Sequence, residues 1–123
     1  MTYNSLYKDF KNLFPDDKNF FIHMEREYSI DDSDGMHISF GSIVVPYVIE
    51  LIESENHSKA QVAFDFFEEM AKSDENLICE VVDFTILEEF VSRGKKFIDK
   101  CKKYMGAETL SCCNSVSNYL ICD

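Results

Sequence analysis

Glycine and proline are scarce in this chain: four Gly and two Pro in 123 residues. An all-β domain needs many tight turns and the residues that make them, so this composition argues against one. Basic residues are also few. Twelve Lys and Arg face twenty-three Asp and Glu, a net charge of −11. That balance disfavours nucleic acid and anionic membrane surfaces as partners, because both are polyanions. No apolar run approaches the roughly 20 residues that span a bilayer. Met1 to Phe14 is interrupted by Lys8, Asp9 and Lys11 and does not read as a signal peptide, so the expected location is the cytoplasm. Gly-rich phosphate loops, H-E-x-x-H, Gly-x-Ser-x-Gly and C-x-x-C are all missing. The expectation is therefore a protein without cofactor, metal or catalytic activity.

What is present is apolar material in a helical pattern. The chain is 46% hydrophobic and 14% aromatic, with eleven Phe and six Tyr. This is enough for a core despite the charge, and the length suits a single helical domain over residues 1–123. Five cysteines, an odd number, without a signal peptide indicate reduced thiols, with Cys79, Cys101 and Cys113 at or near core positions.

The apolar residues recur at three- and four-residue steps and outline about seven short helices. Tyr3, Leu6, Tyr7, Phe10, Leu13 and Phe14 form the first stripe, ended by Pro15. Asp16 and Asp17 are placed to cap a second helix carrying Phe20, Phe21, Met24 and Tyr28. A third helix is expected from about Ser39 to Ser54 with a kink at Pro46. The alternation Met36, Ile38, Phe40 leaves a short strand as the alternative over residues 36–45. Ser58 and Gln61 fit a capping box for a fourth helix with Ala60, Ala63, Phe64, Phe67 and Met70 on one face. Ser73 and Asp74 are placed to cap a fifth helix, whose apolar residues from Leu77 to Val91 surround most of its axis and mark it as central. Lysines surround the sixth helix between Lys95 and Lys103, which Gly106 ends. The seventh presents Leu110, Cys113, Val116, Leu120 and Ile121. Short loops make neighbours antiparallel, so the expected fold is all-α, a compact HEAT-like bundle of helical hairpins.

Few residues suggest a site. Asp31-Asp32-Ser33-Asp34-Gly35 has the composition of a calcium loop. With Gly35 at the sixth position, however, the first is Ile30 and the twelfth Gly41, so the first ligand and the bidentate Glu are missing. Cys112 and Cys113 point about a hundred degrees apart on a helix and do not converge on one ion. The same argument separates Glu68 from Glu69 and Glu88 from Glu89. A Cys–His pair would have to converge through the fold, and no local pattern supports one. Asn76, Glu80 and Asp83 form a narrow polar stripe on the fifth helix. It reads either as that helix's solvent edge or as an acidic contact line for a partner's Lys and Arg. Asp32, Asp34 and an exposed Tyr47 would border the same surface if the third helix lies beside the fifth.

The stretches Ile43 to Leu51, Phe64 to Ala71, Leu87-Glu88-Glu89-Phe90 and Lys103-Tyr104-Met105-Gly106 together resemble small acidic all-helical bacterial immunity proteins of contact-dependent or polymorphic toxin systems. The resemblance spans about half of the chain, Phe40 to Met105. It implies a protein that binds and neutralises a cognate toxin with a basic surface, a nuclease being one such toxin. Acidic side chains imitate phosphates, and complementary charge raises association rates toward ~10⁸–10⁹ M⁻¹s⁻¹ at low salt. The alternative is a helical adaptor or regulatory domain without a toxin partner, which would offer an apolar groove.

Overall fold

Phe10 touches six other aromatic rings: Phe14, Phe21, Phe40, Tyr47, Phe66 and Phe67. Those rings come from three helices and from Phe14 in the connection after the first, and the architecture is built around them. The structure is a computed structural model. It describes residues 1–31 and 33–121; Asp32 and Cys122 lie outside the described residues.

Seven helices are present among the described residues, and no strand. They are α1 (Leu6–Asn12), α2 (Lys18–Glu27), α3 (Met36–Glu53), α4 (His57–Ala71), α5 (76–92), α6 (Lys95–Lys102) and α7 (Ala107–Ile121). The all-α expectation holds, and the strand alternative at residues 36–45 gives way to helix. Short 3₁₀ turns, Tyr3–Ser5 and Pro15–Asp17, lead into α1 and α2. Pro15 stands at the start of its turn, where a missing N–H costs nothing. Gly94, with φ 106°, reverses the chain between α5 and α6 in a conformation that other residues rarely adopt.

Two helices contain π turns: Phe40–Val44 within α3 and Val81–Leu87 within α5. Their sequences explain why. Met36, Phe40, Val44, Val48 and Ile52 are all buried, as are Ile78, Val82, Ile86 and Phe90. Both rows step by four residues. On a regular α-helix four residues turn through ~400°, so such a row drifts around the axis. The wider π turn takes up the drift and keeps the row facing the core. In α3 the π turn also lies directly before Pro46, whose missing N–H cannot bond to the preceding turn. This irregularity stands at the place where a kink is expected.

Helix α3 packs against α4 and α5, α4 against α7, and α5 against α6 and α7. The ring cluster around Phe10 continues through Phe67 to Phe64 and Phe90, and from there to Phe97 and Tyr104. By length and composition Met36–Glu53 could cross a membrane, but 56% of it is buried inside the fold, as suits a core helix.

Several local expectations are corrected. Asn56, not Ser58, caps α4, its side chain accepting from Lys59 N at 3.3 Å. Gln61 instead donates to Asp65 and to the Tyr104 carbonyl. Asp17 precedes α2 without capping it, because its carboxylate is turned toward Tyr47 and Lys59. Ser73 Oγ accepts from Glu75 N ahead of α5. Leu13, Leu77, Phe84 and Leu110, all placed on apolar stripes, are exposed.

Candidate functional site

The π turns of α3 and α5 lie side by side. A β-carbon on Gly41 would stand 3.5 Å from Thr85 Cγ2. His37, one turn earlier on α3, is hydrogen-bonded through Nδ1 to Thr85 Oγ1. Thr85 thus fixes the side of α5 that faces α3. The opposite flank of α5 faces α7, where Tyr119 donates to Glu88 Oε2 at 2.6 Å. Between these flanks runs an outward row with three- and four-residue steps, Leu77, Glu80 and Phe84, which reaches the α7 flank at Glu88. Leu77 and Phe84 are 54% and 56% exposed, and Ile38, beside His37 on α3, is 49% exposed. Exposed apolar side chains therefore alternate with half-buried acidic ones along one ridge, with Phe84 inside the π turn itself. Such turns recur at functional sites.

The expected contact set divides in this frame. Asn76 is exposed and Glu80 half-buried, both on α5. Asp83 is half-buried and turned toward α7 rather than outward: its Oδ1 is buried without a hydrogen-bond partner. Burial pushes its carboxyl up, the Cys112 thiol beside it works the other way, and the Glu88 charge adds to the rise. Asp34 accepts from Asp31 N at 2.9 Å and closes the loop before α3. Asp32 lies outside the described residues.

Tyr47 is not an exposed contact residue. It is 5% exposed, and its ring packs against Phe10, Phe14, Phe20 and Phe21. Its hydroxyl donates to Asp17, which also binds Lys59 Nζ at 2.8 Å. A phenol can bury its ring and still satisfy its hydroxyl at the core's edge, and Tyr47 does so. The acids near it serve internal cohesion.

Leu77 and Phe84 are absent from the expected contact set because apolar residues around most of the α5 axis leave only the polar stripe Asn76, Glu80 and Asp83 to read as its solvent edge. The four-residue row Ile78, Val82, Ile86, Phe90 was the available signal: it sets the buried side and leaves Leu77 and Phe84 off it.

Among the described residues the thiols and imidazoles do not form a nucleophilic pair. His37 is bonded to Thr85, His57 to Tyr104, and His23 is exposed. Burial, with help from Asp83, pushes the Cys112 thiol up to about 11, and burial pushes Cys101 up to about 12. An activated thiol needs the opposite shift. Among the described residues no group of three or more His, Cys, Asp or Glu is placed to hold a metal ion. A groove of about 770 Å³ beside α1 is lined by Tyr7, Lys8, Lys11 and Asp31. It brings together neither paired carboxylates nor a thiol and an imidazole.

No curated protein and no solved structure matches this chain. A family model does match, over residues 7–120, and it spans all seven helices. The chain therefore belongs to DUF7674, a family described as a domain of unknown function.

Proposed function

We propose that this protein is an immunity-type inhibitor that binds a cognate toxin with a basic surface, a nuclease for instance, in the cytoplasm and blocks it without catalysing a reaction. The observation that carries this reading is unneutralised acid. Among the described residues, ion pairs engage Glu25, Asp17, Asp99 and Glu53. Most of the other carboxylates among the described residues make no ion pair with a lysine or arginine of this chain. Lys95, Lys96, Lys100, Lys102 and Lys103 lie on or beside α6, so the rest of the molecule is more acidic than the net charge conveys. Such a field attracts a basic macromolecule and speeds encounter with it.

The test is co-expression with the product of a neighbouring reading frame that encodes a secreted toxin. Cells that survive only when this chain is present, and a complex recovered from them, support the reading. A toxin that kills equally well with and without the chain overturns it. A second reading, a helical adaptor for a peptide, has the exposed Leu77 and Phe84 in its favour. It predicts binding that salt does not weaken.

A further inference from the structure

The exposed row on α5 combines two features that are seldom superimposed. Leu77 and Phe84 put large apolar surface into solvent, which at a single site costs little but in a row marks a contact. Glu80 stands between them, and Glu88 follows one turn after Phe84. Interfaces concentrate energy in a few aromatic anchors that enter pockets, with charged groups at the rim setting the choice of partner. Phe84 has the character of such an anchor. It is a rigid ring on a helix held on both flanks, by Thr85 against His37 and Gly41 and by Glu88 against Tyr119. A Phe side chain has only two rotatable bonds, so little side-chain entropy is lost when it is fixed on binding.

We propose that this ridge, Leu77–Glu80–Phe84–Glu88 with Ile38 beside it, is the docking surface, and that its occupant is a protein presenting an apolar helical face flanked by Lys or Arg. The inference deepens the inhibitor reading and rests on it for the partner being a protein. The sign of the partner's charge follows from the ridge itself. A second copy of the chain does not fit, because a two-fold contact would set Glu80 and Glu88 against the same acids on the other molecule. A purely apolar peptide would desolvate Glu80 with no partner of its own and leave Glu88 only the Tyr119 hydroxyl.

The test uses the whole chain, isotope-labelled, titrated with a helical peptide composed only of leucine and lysine. Amide shifts centred on residues 36–41 and 77–88 are expected. Phe84→Ala should weaken binding about tenfold or more, and the pair Glu80→Gln with Glu88→Gln should flatten its salt dependence. Leu13→Ala, an exposed apolar residue elsewhere, should leave both unchanged. Three results overturn the proposal: absence of binding, shifts centred away from the ridge, or equal affinity for Phe84→Ala. Self-association of the free chain that Phe84→Ala abolishes would also overturn it, in favour of a second copy. Toxin rescue separates this proposal from the inhibitor reading. Rescue retained by Phe84→Ala removes the docking surface and leaves the inhibitor intact. Failure of the unaltered chain to rescue removes the inhibitor, while the peptide titration still decides the surface.

Discussion

The β-carbon that Gly106 lacks would stand 2.4 Å from Glu68 Cδ. The vacancy at Gly106 and the carboxylate that occupies it form one structural unit. Through it Glu68 accepts from Thr109 N and Thr109 Oγ1 at 2.8 Å each, and from Glu108 N at 3.1 Å. A side chain from α4 thereby satisfies the open N–H groups at the start of α7, where a negative charge is also favoured by the helix dipole.

Glu68→Ala and Gly106→Ala should therefore destabilise the fold by the same route, each by about 1 kcal/mol, the usual cost of a lost helix cap. Because both remove the same bonds, the double variant should lose much less than the sum. Urea unfolding of the four proteins measures this. Additive losses would show that the two positions act independently.

Asp17 should make stability depend on acid. The Lys59 ammonium and the Tyr47 hydroxyl hold its carboxyl below the ordinary value of 3.8. A group depressed in the folded state contributes stability above its unfolded pKa and loses it as the pH falls through the folded value. Melting temperatures recorded on acidification should thus fall less steeply for Asp17→Asn than for the unaltered chain. Tyr47→Phe should cost about 1 kcal/mol at neutral pH, the net worth of one hydrogen bond. Parallel acid profiles for Asp17→Asn and the unaltered chain would rule out this role for Asp17.

Asp83 should behave in the opposite sense. Its carboxyl is raised by burial, so ionisation is disfavoured in the folded state and stability declines as pH rises from the unfolded value through the folded one. Asp83→Asn should raise the melting temperature at pH 7. The gain should be small, on the order of 1 °C, because the group is half-solvated. It should vanish below pH ~3, where the carboxyl is neutral in both states. A loss of stability at pH 7 would contradict the account.

Phe10→Ala should cost about 3–5 kcal/mol, a large share of the roughly 5–15 kcal/mol that stabilises a typical domain. Phe84→Ala should change stability by less than about 0.5 kcal/mol, because the ring is already in solvent. Measured side by side by chemical denaturation, the pair separates a ring that holds the fold from one that does not. Comparable losses would place Phe84 in the core.

Helix number and order were legible because stripes such as Phe10–Phe14 and Phe64–Phe67 are dense and the connections short. Surface assignment was less so. Tyr47 looked like a contact residue because nearby acids suggest exposure, whereas its position in the buried row Ile43, Tyr47, Leu51 points inward. Asn56 and Ser58 are both good caps by residue type, and only backbone geometry selects Asn56. The Glu68–Gly106 unit joins residues far apart in sequence, and no local pattern announces it.

The π turns have a consequence for length rather than for composition. In most helices an exchanged side chain disturbs one site. In α5 the π turn between Val81 and Leu87 already holds the extra residue, so one residue more in that stretch would rotate everything after it by ~100°. Phe90 would swing away from Phe64 and Phe67, and Glu88 away from Tyr119. The angular phase of this helix is carried by its residue count, so an insertion there should do more harm than most substitutions, and a deletion, which lets the π turn relax to an ordinary one, less.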